Sequence, residues 1–222
     1  MQSDIKRLPA AAEFAIVLVL AFGFFVYTSL HHYFGGHWGT SNTDAGKLGT
    51  IAIEVVSFAL AGSFLWARGW TLERIGLKIT ARDTLIGLVL GAATYVIYRG
   101  LAIAVSLVPE WHGIFFIGHG RLSHITLPVI GLVLVINSIF EEVFAAGYLI
   151  SFLKPRFGAS VAVNAGLFLR VLYHLYQGVG AILHVVPVSL VFGIWYARTR
   201  RLWPLIVAHA TINAFVYGRA LF

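Results

Sequence analysis

The chain has 222 residues, 59% of them hydrophobic and only 11% charged, with a formal net charge of +7. A soluble domain carries roughly a quarter charged residues, so an ordinary soluble enzyme is excluded, and so much apolar surface excludes a disordered chain. There is no cysteine, which removes disulfides and thiolate chemistry. The solvent that suits such a chain is lipid.

A bilayer core of about 30 Å takes roughly 20 apolar helical residues. In chain order, spans are predicted over Phe14–Leu30, Leu48–Ala67, Thr84–Val108, Ile125–Leu153, Ala159–Tyr176, Val179–Ala197 and Leu202–Leu221. The first follows a short head with Lys6 and Arg7. It is too long for a signal-peptide core and is read as a retained helix. Only Gln177 and Gly178 separate the fifth span from the sixth, which predicts a tight helical hairpin. The fold class expected is an all-α polytopic transmembrane bundle of about seven spans, a single integral membrane domain over residues 1–222.

The basic charge invites a nucleic-acid reading, but its placement argues against one. Lys6, Arg7, Arg68, Arg74, Lys78, Arg82, Lys154, Arg156, Arg198, Arg200 and Arg201 fall in alternate loops on one side. The other side holds only Lys47, Arg121 and Arg219. This is the positive-inside pattern, with a cytoplasmic N-terminus and an outer C-terminus. A bacterial-type plasma membrane is the expected location, and membrane lipid is the expected partner in place of nucleic acid. Trp66, Trp70, Trp111 and Trp203, near span ends, suit interfacial anchoring. The loop Trp70–Asp83 has apolar residues at Leu72, Ile75, Leu77 and Ile79 and is read as lying along the membrane surface. His31, His32, His37, His112, His119 and His124 sit in outer loops, where histidines are usually solvated. The 23 glycines suit close helix packing in lipid, and no phosphate-binding pattern is present.

The informative residues are the ionisable ones inside spans, each costing about 2.5–3.5 kcal/mol at a helix centre unless paired or facing water. They are Glu54, Arg99, Glu141, Glu142, Arg170, His174, His184 and His209, with Asn213 beside them. Glu141 and Glu142 are neighbours, so their side chains diverge by about 100° on a helix. Both cannot face lipid, and both cannot ionise comfortably without a cation. His209 and Asn213 are one turn apart on one face, as are Arg170 and His174. At about 1.5 Å per residue, His209 lies roughly 12 Å deep, Glu141 about 20 Å and His174 about 22 Å, so one mid-membrane cluster is allowed. Glu54 and Arg99 are read as a bridge between two helices, and His184 as a structural contact.

The segment Glu141–Ile150, EEVFAAGYLI, resembles the first signature of the CPBP intramembrane proteases. That family includes type II CAAX prenyl endopeptidases and Abi-like bacteriocin-processing and immunity proteins. Arg170–Gly178, RVLYHLYQG, resembles the second signature. Val191–Phe215 resembles the third, with Gly193, Tyr196, Leu202, Trp203, Pro204, His209 and Asn213 in place. The motif-bearing core is about residues 125–215. The family's arginine after the glutamate pair falls on Ala146 here, and its phenylalanine before the first histidine falls on Arg170. This points to a positional exchange in which Arg170 supplies, from the next helix, the cation missing at 146.

The resemblance implies an intramembrane endopeptidase acting on membrane-associated or amphipathic peptides. Glu141 would activate water with help from His174, while His209 and Asn213 would stabilise the oxyanion. Glu142 would balance charge against Arg170. Metal use stays open: no cofactor is required, or zinc is held by Glu142, His174 and His209. Asn213 suits an oxyanion donor better than a ligand, which favours the metal-free form. The rivals are a catalytically inactive scaffold, regulator or immunity protein and, behind it, a small transporter.

Overall fold

The computed structural model describes residues 8–35, 43–111 and 125–221. Lys6, Arg7, Arg121, His37, His112, His119 and His124 lie outside the described residues. The elements are α1 (Ala10–Tyr33), α2 (Asp44–Ala67), α3 (Ala81–Ser106), α4 (Leu127–Glu141), a π-helical segment (Glu142–Tyr148), α5 (Leu149–His174), α6 (Ile182–Thr199) and α7 (Trp203–Leu221). The chain is an all-α bundle, as its composition predicts. Local chemistry sets several helix starts. The Thr43 hydroxyl accepts from the Gly46 amide at 3.3 Å and that of Thr80 from the Asp83 amide at 3.0 Å, both N-caps. Pro128 stands in the first turn of α4, where its missing N–H costs nothing.

Five helical runs are long and apolar enough to cross a membrane. Val19, Leu85, Val96 and Leu127 stand exposed on them, a surface suited to lipid. One run, Leu127–Gln177, is 51 residues long and doubles back on itself. Gly158 adopts φ 84° and ψ 169°, which a side chain would resist, and Pro155 precedes it. Beyond Gly158 the chain returns antiparallel. Arg170 reaches Glu141 at 3.1 Å, and Gly166 packs against the Ala145 carbonyl. The run therefore supplies both the fourth and the fifth predicted passes. The hairpin at Gln177-Gly178 is also present, flanked by single 3-10 turns.

α7 is the exception. It forms a 19-residue helix that carries His209, Asn213 and Arg219, and it is not among the five apolar runs. It runs parallel to α3 in close contact. Trp203 Nε1 donates to Thr84 Oγ1 at 2.9 Å, and Tyr95 stacks on Phe215 with centroids 4.9 Å apart. Between these, Gly87 faces Pro204 and Val207, and Gly91 faces Ala208 and Thr211. A Cβ at Gly91 would stand 2.7 Å from the Ala208 carbonyl oxygen.

The loop after α2 differs from expectation. Leu72 and Ile79 point outward, but Ile75 is buried and its carbonyl accepts from the Tyr196 hydroxyl at 2.9 Å. Trp70 is no interfacial anchor. It is buried, and its Nε1 donates to Glu13 at 2.9 Å, beside the Arg68–Glu13 ion pair at 2.6 Å. A buried carboxylate captures the indole because it needs donors.

Gly91→Leu should force α3 and α7 apart and cost about 1–3 kcal/mol, read by chemical unfolding in detergent. Gly100→Leu is the control, because a Cβ there meets nothing within 4 Å. Equal stability of the two variants would refute close packing as the reason for Gly91.

Candidate active site

Glu141 closes α4, and Glu142 opens the π-helical segment, whose seven residues are all buried. π-turns inside α-helices recur at functional sites. The two carboxylates are buried, 5% and 0% exposed, so every lone pair needs a donor from the protein. Arg170, on the returning arm of α5, supplies three of their six hydrogen bonds. Its Nη2 donates to Glu142 Oε1 at 2.8 Å and Oε2 at 2.7 Å, while Nη1 donates to Glu141 Oε2 at 3.1 Å. One planar cation thus holds two neighbouring anions. Ala146, also buried, lies on the same segment with no charge to offer. The hairpin at Gly158 carries Arg170 back to the carboxylates from the other arm.

α7 approaches from the other side. His209 Nδ1 lies 2.7 Å from Glu142 Oε1, so its ring N–H donates to that carboxylate. Asn213 Nδ2, one turn on, donates to Asn137 Oδ1 at 3.4 Å. Glu141, Glu142, Arg170, His209 and Asn213 are therefore tied into one hydrogen-bonded group. His174 stands at its margin. Its Nδ1 donates to the Arg170 carbonyl at 2.9 Å, and its ring packs on Tyr173 and, at 6.0 Å, on His184. With Nδ1 so engaged, Nε2 of the neutral ring carries the lone pair. His184 in turn meets Tyr98 at 5.8 Å, which makes it a contact between helices.

Three residues of this group were not singled out by the motif reading. Tyr173 donates its hydroxyl to Glu141 Oε2 at 2.5 Å and stacks on Phe22 of α1 at 5.1 Å. Asn137 donates to Glu141 Oε1 at 3.0 Å. The available signals were spacing and adjacency: Asn137 is one turn before Glu141 on an apolar helix, and Tyr173 adjoins His174. Glu54 is the third. Its Oε1 accepts from the Asn137 amide at 2.7 Å, and the bridge to Arg99 expected from sequence is not formed.

A cavity of about 330 Å³ lies between α1 and α2 and reaches this group. Phe24, Phe25, Ile53, Lys47 and Tyr176 line it, and Tyr173 forms part of its wall.

The zinc set raised by the sequence meets an obstacle here. Both oxygens of Glu142 are taken by Arg170, and His174 turns its Nδ1 to backbone. Among the described residues no group of three or more His, Asp or Glu side chains lies close enough to hold a metal ion. As arranged, Glu142, His174 and His209 do not fit zinc coordination.

Removing one partner of a buried ion pair leaves the other uncompensated. Arg170→Met should destabilise the protein by about 3–5 kcal/mol. Adding Glu142→Gln should recover part of that loss, measured by unfolding in detergent. A loss as large in the Glu142→Gln background would show that Arg170 acts through something other than this pairing.

No curated protein and no solved structure matches the chain at a significant level. One family model does, over about two-fifths of the chain. Residues 123–215, which carry the three motifs and all of Glu141, Glu142, Arg170, His174, His209 and Asn213, match the family described as type II CAAX prenyl endopeptidase Rce1-like, a protease family consistent with the CPBP resemblance.

Proposed function

We propose that the protein is an intramembrane endopeptidase that hydrolyses peptide bonds of membrane-associated or amphipathic substrates. The observation that carries this reading is a buried pair of carboxylates held by one guanidinium, with a histidine and an asparagine from another helix beside them. Such a group is costly inside an apolar bundle, and purely structural work could be done by apolar side chains.

The chemistry needs an activated water, a stabilised oxyanion and a protonated leaving amine. Glu141 is the base. It accepts three hydrogen bonds at rest, from Asn137, Arg170 and Tyr173, and the Tyr173 hydroxyl is the one a bound water replaces. The water oxygen attacks the carbonyl carbon as its proton passes to Glu141, with His174 Nε2 assisting. The oxyanion is met by the second N–H of Asn213 and by Nε2–H of a protonated His209, whose Nδ1–H stays on Glu142. Collapse of the tetrahedral intermediate breaks the C–N bond, and the Glu141 proton leaves with the amine. The cavity beside Tyr173 offers room for the apolar part of a substrate. No step is assigned to a metal.

The protein is expected in a bacterial-type plasma membrane, N-terminus inside and C-terminus outside, on the distribution of its loop charges. A second reading, an inactive scaffold or immunity protein, draws on one observation. Each oxygen of Glu141 and Glu142 already has a partner within the chain.

A quenched peptide library presented to the purified protein in nanodiscs separates these readings. Wild type should cleave, and Glu141→Ala and His209→Ala should each lose about 10²–10³-fold in rate. Arg170→Ala should lose at least about tenfold on the folded fraction, and chelator should leave the rate unchanged. Full activity of Arg170→Ala beside a dead Glu141→Ala would sink the exchange of arginines. Cleavage surviving in all three variants would sink the site itself.

A further inference from the structure

Glu54 lies in α2, outside the residues that match the protease family. It is 2% exposed, and its second oxygen, Oε2, is buried with no partner among the described residues. A buried polar atom left without a hydrogen bond is destabilising. A leucine at this position would avoid that cost. What the carboxylate contributes is visible at Asn137. The amide of Asn137 donates both to Glu54 Oε1, at 2.7 Å, and to Glu141 Oε1, at 3.0 Å. Its carbonyl oxygen accepts from Asn213 at 3.4 Å.

An asparagine side chain has two ends of nearly equal size and opposite polarity. Turned over, Asn137 would set its carbonyl against Glu141 and its NH₂ against the NH₂ of Asn213. Glu54 Oε1 and Glu141 Oε1 both act as acceptors here, so two acceptors on one side fix the NH₂ toward α2 and Glu141. The oxygen is then fixed toward α7. Asn213 must answer with an N–H, which commits its own amide to one orientation and leaves its second N–H free to point elsewhere.

We infer that Glu54 is a positioning residue that sets, through Asn137, the orientation of the Asn213 amide. The orientation stands on hydrogen bonding alone; its consequence for rate rests on the protease reading. The chain of contacts runs from α2 through α4 to α7, so a residue outside the family match completes the donor side of the site.

The sequence makes a direct test practical, because it contains only four asparagines: Asn42, Asn137, Asn164 and Asn213. Full-length protein labelled with ¹⁵N-asparagine shows four side-chain amide pairs, assigned by single Asn→Asp replacements. Glu54→Gln keeps the shape but can present either polarity. It should shift the side-chain signals of both Asn137 and Asn213 and leave that of Asn164, which bonds to the Ser160 carbonyl at 3.0 Å on α5, in place as a check of folding. On a peptide cleaved by the wild type, Glu54→Gln should lower kcat about tenfold with KM within about twofold, and should add nothing further in an Asn137→Ala background. An unmoved Asn213 signal overturns the inference. So does a moved signal with kcat unchanged, or an equal loss from Glu54→Gln with Asn137 absent. If the wild type cleaves no peptide, the protease reading fails while the amide signals still decide the orientation.

Discussion

The contact between Arg170 and the adjacent carboxylates is the constraint on which the rest depends. Two carboxylates on consecutive residues are an unstable thing to bury. Their mutual repulsion grows in a medium of low dielectric, and neither can be neutralised by lipid. A guanidinium resolves this because it is flat and has donors on two edges, one for Glu141 and one for Glu142. A lysine in its place would offer a point charge and could serve only one of them well. The cation also needs a rigid approach. It has one because α5 returns along the π-helical segment after the break at Gly158, so the turn and the ion pair depend on each other.

Around this pair the bundle is organised by polar contacts as much as by apolar ones. Glu54, Asn137, Glu141, Arg170, Glu142 and His209 follow one another by hydrogen bonds across α2, α4, α5 and α7. Two carboxylates in that series, Glu141 and Glu142, face one guanidinium, and His209 is a further member that can carry positive charge. In lipid the hydrophobic effect does not drive helices together, and interhelical hydrogen bonds and close packing have to do so. The outer wall is apolar and aromatic. Phe22 sits on Tyr173 on one side and near Phe140 at 5.5 Å on the other, which holds the tyrosine hydroxyl over Glu141.

Much of this was legible before any coordinates. Apolar run length located the helices, since a continuous apolar run of about 20 residues crosses lipid as a helix that satisfies its own backbone. Charges inside apolar runs marked Glu141, Glu142, Arg170 and His209, because such residues are too costly to be casual. What escaped were partners rather than participants. Asn137 and Tyr173 are ordinary at their positions until the fold brings them to Glu141. Pairing by opposite charge matches Glu54 to Arg99, because charge alone ignores which helices are neighbours, whereas the fold gives Glu54 to Asn137. The π-helical segment had no local sign either, since EVFAAGY suits an α-helix equally well and its seven residues are all buried. Trp70 looked like an interface residue by composition and proved to be a donor to Glu13.

The modest hydropathy of α7 bears on how the protein is made. Placing His209 and Asn213 in lipid is costly unless both find partners, and α7 is not among the five apolar runs. His209 finds its partner on the π-helical segment and Asn213 on α4, and the close seat of the helix is on α3. Those helices precede it in the chain and leave the ribosome first. Insertion of α7 is therefore a docking event, in which the membrane accepts the helix because the bundle is already there to receive its polar face. On this account the site is complete only once α7 has docked, and a chain that fails to complete α4 or α3 also fails to retain the helix that carries its histidine.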